Sequence, residues 1–290
     1  MASNFRLTSG RNLSYQVRGS KRQDATPFVY LHGTPSAYPV LDSMSAACEK
    51  HNLQVISYSR SGYGESSRHS SRNIVDVVDD VEQLLRHLGA ANKPCVVGGW
   101  SGGGKCSSSR ECALCVAGVA PYDAEGLDWL EGQGEDNVAE TKAALAGEEP
   151  LREYVESQRS GLLNADADGI IKEMSSILPE ADKRAIKENE ELGGYLVQSF
   201  RVALEHSPDG WIDDSLAFIK PWGFELSEIK VPVFLYQGSL DLMVPYGHGK
   251  WLAKHLPQQT LTKHLIEHEG HISIWLGNME MMMEELSSVL

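Results

Sequence analysis

The sequence of 290 residues predicts an α/β protein: a mostly parallel, twisted sheet flanked by helices, with an all-helical segment inserted between two strands. Three observations carry this reading. Short continuous apolar runs alternate with helical-period segments through the first part of the chain, as expected of strands buried on both faces of a parallel sheet with right-handed crossovers. The strand signal disappears over residues 122–225 and then resumes. That same interval holds 24 acidic and 9 basic residues, net −15, whereas the remainder of the chain is net +1. Such asymmetry marks a separate structural unit. Residues 122–225 are therefore expected to form an acidic helical insertion, and residues 1–121 and 226–290 one core.

Residues 4–17 alternate apolar and polar side chains around Gly10-Arg11-Asn12, the pattern of a hairpin. Phe28-Val29-Tyr30-Leu31 and Gln54-Val55-Ile56-Ser57-Tyr58 read as strands, with a helix over 40–50 between them. Residues 74–88 place Val77, Val78, Val81, Leu84, Leu85 and Leu88 on one helical face behind Asn73, a capping residue. A strand at Cys95-Val96-Val97, a turn around Ser101 and a strand at Leu114-Cys115-Val116-Ala117-Gly118-Val119 follow. Helices are expected over 138–145, 151–163 and 192–205 of the insertion. The core resumes with a strand over 231–236, a helix around 250–255, a strand over 260–266 and a closing helix over 279–290.

Composition narrows the class of function. Hydrophobic content is 41% and charged content 23%, an ordinary globular balance. No apolar stretch approaches the roughly 20 residues that span a bilayer, so no membrane partner is expected. Residues 1–6 lack an apolar signal region, which predicts a cytoplasmic protein. Cys48, Cys95, Cys106, Cys112 and Cys115 are odd in number and irregularly spaced, and read as reduced thiols. The pair Cys112 and Cys115 lacks a second such pair to complete a metal site, so no metal is expected. A net charge of −14 has the wrong sign for nucleic acid. A small molecule remains as partner, and an acidic insertion favours one that is neutral or cationic.

The chemistry is concentrated after the strands. Ser101 sits in Gly98-Gly99-Trp100-Ser101-Gly102-Gly103-Gly104, a G-x-S-x-G turn in which a strand reverses sharply into a helix. The positions two before and two after the serine must be very small, and they are Gly99 and Gly103. His32-Gly33-Thr34-Pro35, Gly238-Ser239-Leu240-Asp241 and Glu267-His268-Glu269-Gly270-His271 follow three other strands. Open α/β sheets bind ligands at that end.

Together with Tyr58-Ser59-Arg60-Ser61-Gly62-Tyr63-Gly64-Glu65-Ser66, these motifs resemble those of capped, esterase-like serine hydrolases of the α/β-hydrolase fold, over nearly the whole chain. The order Ser101, Asp241, His271 is that family's order. The resemblance implies a nucleophile at Ser101, a base at His271 and an orienting acid at Asp241. It implies oxyanion donors in the backbone N–H groups of Thr34 and Gly102, and no cofactor. His32, Gly33 and Trp100 are candidate pocket residues, although Trp100 reads equally well as packing under the cap. Pro35 restricts Thr34 to an extended conformation.

Competing residues are few. His268 stands three positions before His271, but Gly270 suits a loop that presents His271. Asp123 follows a strand and competes with Asp241, which occupies the commoner position for the acid. His264 and His268 lack the H-E-x-x-H pattern of a metal helix. Asp213 and Asp214, within the insertion, are expected to be solvated. A serine nucleophile disfavours the dehalogenase and epoxide hydrolase chemistries of this fold, which use aspartate. The expected reaction is acylation of Ser101 by a small ester or related acyl compound, then release by water. Amide hydrolysis and carbon–carbon cleavage use the same groups and stay open.

One stretch departs from the family pattern. Lys105-Cys106-Ser107-Ser108-Ser109-Arg110-Glu111-Cys112 is short, polar and serine-rich where relatives carry a long apolar helix. A less well buttressed turn is expected. The alternative reading is a ligand-binding receptor or catalytically impaired pseudo-hydrolase of the same fold.

Overall fold

The computed structural model describes residues 2–104 and 111–290. Cys106 and most of the shortened stretch after Ser101 lie outside the described residues.

Eight strands form one sheet in the order β1-β2-β4-β3-β5-β6-β7-β8. They are β1 (Ser3–Arg6), β2 (Asn12–Gly19), β3 (Thr26–Leu31), β4 (Leu53–Tyr58), β5 (Val96–Trp100), β6 (Cys112–Val116), β7 (Val233–Gly238) and β8 (Leu261–Ile266). β1 pairs with β2, and β2 with β4, in antiparallel fashion; every later pairing is parallel. The central strands β3, β5, β6 and β7 are almost wholly buried, which explains their continuous apolar runs.

Successive residues of a strand face opposite sides, and the core divides accordingly. Phe28, Tyr30, Leu114 and Tyr236 pack on the face covered by α1 (Asp42–Lys50) and α10 (Ile274–Ser288). Val29, Leu31, Cys115 and Leu235 pack on the other, against α2 (Val77–His87) and α9 (Tyr246–His255). Cys48, Cys95, Cys112 and Cys115 are all buried. Among the described residues no helix is long and apolar enough to cross a membrane.

Six helices stand between β6 and β7: α3 (Glu135–Ala146), α4 (Glu148–Asn164), α5 (Ala167–Glu173), α6 (Glu180–Glu188), α7 (Glu190–Leu204) and α8 (Asp209–Phe218). α3, α4 and α7 fall where the periodicity places helices; α5, α6 and α8 were not anticipated. Among the other boundaries that differ from expectation, two have a visible cause or a large shift. β6 begins at Cys112 and ends at Val116, because Ala117 turns the chain with a φ of 47°. α10 begins at Ile274 rather than at 279.

Candidate active site

β5 ends at Trp100, and Ser101 takes a φ of 55°. A left-handed conformation strains a residue with a side chain, and such strain persists only where the surroundings over-determine it. Here they do. A Cβ at position 99 would lie 1.8 Å from the Gly103 carbonyl oxygen, so the turn closes only around glycine. The half-buried Ser101 is thereby held at the end of the central sheet.

His271 and Asp241 come from the loops after β8 and β7. The Nδ1–H of His271 donates to Asp241 Oδ2 at 2.8 Å, with both side chains buried. Asp241 is itself fixed by Met243 N–H and Val244 N–H, each at 2.8 Å from Oδ1, and by Gln237 Nε2 at 3.1 Å from Oδ2. With Nδ1 committed as donor, Nε2 of the neutral ring is left as an acceptor. The ring stacks on Trp100, centroids 5.3 Å apart, and the Trp100 Nε1–H donates to the His271 carbonyl at 3.1 Å. The competitors lie elsewhere. Asp123 is exposed, as is His268, and His264 pairs with Glu285 at 2.8 Å.

The loop after β3 is tied down by a buried ionic cluster. The Arg60 guanidinium donates to the His32 carbonyl, to the Gly33 carbonyl at 2.8 Å and to Thr34 Oγ1 at 2.9 Å. It also pairs with Asp214 of α8 at 2.6 Å. Asp214 further accepts from Thr34 Oγ1 at 2.7 Å, Tyr63 OH at 2.9 Å and Arg72 Nη2 at 2.6 Å. Burial alone would push the Asp214 carboxyl up; the guanidiniums of Arg60 and Arg72 outweigh it and hold the group far below the usual carboxylate range.

Two expectations are corrected here. Asp213 and Asp214 are not solvated: both are buried, and Asp213 pairs with Arg68 at 2.8 Å. His32 does not line the cavity at Ser101. Its Nε2 accepts the Arg60 backbone N–H at 3.0 Å, which puts the ring proton on Nδ1, donated to the Gly33 carbonyl at 2.7 Å. Burial and the nearby Arg60 charge hold this imidazole well below the usual histidine range, so it is a neutral strut.

Ser101 lines two hollows. One, of about 440 Å³, is lined by Ser101, His271, Gly33, Thr34 and Trp100 among others. The larger, of about 940 Å³ and open to solvent, runs from Ser101 and Thr34 between the inserted helices. Gly102 lines a neighbouring hollow beside Arg60 and Phe218. It lies close to Thr34, since a Cβ at 102 would come within 2.7 Å of Thr34 Oγ1.

A family model described as "Alpha/beta hydrolase family" matches residues 28–287. The chain belongs to the alpha/beta hydrolase family. No curated protein sequence gives a significant match. Solved structures of similar fold include a bromoperoxidase from Bacillus anthracis, 19% identical with a TM-score of 0.68, covering 99% of this chain and 98% of that one. An enol-lactonase from Burkholderia xenovorans is 17% identical with a TM-score of 0.66, covering 99% of both chains. An esterase from Exiguobacterium antarcticum is 15% identical with a TM-score of 0.63, covering 99% and 98%. At these identities the likeness is one of fold.

Within this alpha/beta hydrolase the sequence reading missed three residues that shape the site. Arg60 lies in the Tyr58–Ser66 motif with no role that its neighbours in sequence suggest, and Asp214 reads as solvated. Asp182, on α6, accepts the backbone N–H of His271 at 2.9 Å and was not considered at all. The contacts of Asp182 and Asp214 with the core join positions 89 to 180 residues apart, which no local pattern signals.

Proposed function

We propose that the chain is a capped serine hydrolase that cleaves a small ester or related acyl compound, residues 122–225 forming the cap. The observation that carries this is that the buried His271, paired with Asp241, lines the same hollow as a conformationally strained Ser101. Family membership supports hydrolase chemistry. Ser101 attacks the acyl carbon as His271 Nε2 takes its proton, and Asp241 steadies the resulting imidazolium. The tetrahedral oxyanion is received by the N–H groups of Thr34 and Gly102, the first held by the Arg60 and Asp214 cluster. His271 then protonates the leaving alcohol, and water releases the acyl group by the reverse steps. A fluorophosphonate probe should label the wild-type protein at Ser101 and leave Ser101→Ala unlabelled. Absence of labelling alongside ligand-induced thermal stabilisation would favour the receptor reading instead.

The substrate is neutral or cationic in this proposal. The carboxylates of Asp136, Glu140 and Glu173 line the larger hollow, and no lysine or arginine does so among the described residues. Burial pushes the Glu140 carboxyl up, opposed by hydrogen bonds from Ser215 and Trp211. A negative lining repels anions, and salt screens the effect. At low salt, kcat/KM for a neutral ester should exceed that for a matched ester bearing a carboxylate by about tenfold or more, and the gap should narrow as salt is added. Equal values at low salt would refute this preference.

A further inference from the structure

We infer that Asp182, contributed by the helical insertion, is a positioning residue: its carboxylate holds the loop that presents His271, so the base is in place only when the insertion is docked. The inference rests on the reading of His271 as the base of a serine hydrolase.

Asp182 lies in the first turn of α6 and is completely buried. Its Oδ2 accepts His271 N–H at 2.9 Å, and its Oδ1 accepts Ile272 N–H at 3.0 Å and Ser273 N–H at 2.8 Å. These three groups immediately precede α10, where backbone donors lack helical partners and the local dipole favours an anion. A carboxylate receiving three N–H groups from consecutive residues fixes their backbone as one unit.

Burial pushes the Asp182 carboxyl up; the Ser273 N–H lowers it and nearby Asp241 raises it again. Steric fit adds to the geometric case. A Cβ at position 270 would meet both Asp182 carboxylate oxygens and the carbon between them at 2.3–2.6 Å, so glycine before His271 is what lets the carboxylate in.

His271 is thus gripped from three separate parts of the chain. Its carbonyl is held by Trp100 at the end of β5, and its ring by Asp241 after β7. Its N–H is held by the insertion. Only the last grip depends on the inserted helices, and it acts on the backbone of the residue whose ring must meet Ser101.

The test uses the full chain and the isosteric variant Asp182→Asn. An amide keeps one acceptor oxygen but turns an NH2 group toward donors of the loop. The expected result is a kcat for a small neutral ester lowered by up to about 10²-fold, the scale of a misplaced catalytic group, with KM nearly unchanged. The downfield proton resonance of His271 Nδ1–H should broaden or vanish in the same variant. A folded Asp182→Asn with wild-type kcat and an unchanged resonance would overturn the inference.

Residue-resolved amide exchange of the wild type decides the matter even if the variant does not fold. The amides of His271, Ile272 and Ser273 should exchange together with those of α6. Their remaining protected after α6 has exchanged would overturn the clamp. Failure of wild type to hydrolyse esters or to label at Ser101 would instead sink the hydrolase reading, and the resonance and exchange data would still report on the clamp.

Discussion

Replacing Ser101 with alanine is expected to lower kcat for a small ester by about 10⁴–10⁶-fold while changing KM little. The hydroxyl is the only group proposed to form the acyl bond; without it His271 can activate only water. Residual turnover would come from the oxyanion donors and from binding in the hollow. His271→Ala should cost a similar factor, and the double variant little more, because the two act as one unit. Stability should move differently. Alanine at a φ of 55° keeps the backbone strain of the wild type, whereas Ser101→Gly relieves it. Ser101→Gly should therefore be the more stable inactive variant, by about 1 kcal/mol or more. A Ser101→Ala enzyme retaining a tenth of wild-type kcat would remove Ser101 from the reaction. Thermal or chemical unfolding that ranks the alanine variant above the glycine variant would remove strain from the account of the turn.

The parts of the molecule that announce themselves in sequence are those whose cause is local. β3, β4 and β7 are buried on both faces, so their apolar runs are continuous and visible. The turn at Ser101 is legible because a close backbone approach admits only glycine at 99. α5 has only seven residues, and α6 is strongly polar, so neither offers a long apolar stripe. α10 carries Gly277 in its second turn, a poor helix former that hid the true start at Ile274. β6 was displaced because Ala117-Gly118-Val119 extends its apolar run, while the backbone of Ala117 turns away. Burial of Asp213 and Asp214 has no local cause. It is decided by Arg60, Arg68 and Arg72, more than 130 positions earlier, whose charges make an otherwise prohibitive burial tolerable. The same holds for Asp182, whose partners are backbone groups about 90 positions away.

That long-range dependence makes Asp214→Asn the substitution with the largest expected effect on stability. It leaves shape intact and removes one charge, so Arg60 and Arg72 become buried cations without their shared counter-ion. Breaking a buried pair by removing one partner costs about 3–5 kcal/mol, far more than the pair contributes relative to an apolar replacement. The solvent-exposed ion pair of Arg22 and Asp24 serves as the contrast: water screens it, and Asp24→Asn should leave the unfolding midpoint where it was. The pH dependence has a definite sign. The folded-state pKa of Asp214 lies below its unfolded value, so its stabilisation is fully present above the ordinary carboxylate range and is lost as pH falls below it. The stability gap between wild type and Asp214→Asn should therefore be widest near neutrality and shrink below about pH 4, as the wild-type carboxylate begins to take up its proton on unfolding. A gap that is small near neutrality, or that widens on acidification, would show that Asp214 is not the charge that anchors Arg60. It would also weaken the proposal that the loop of His32, Gly33 and Thr34 is held ready for an oxyanion, because Arg60 contacts all three residues and is itself paired with Asp214.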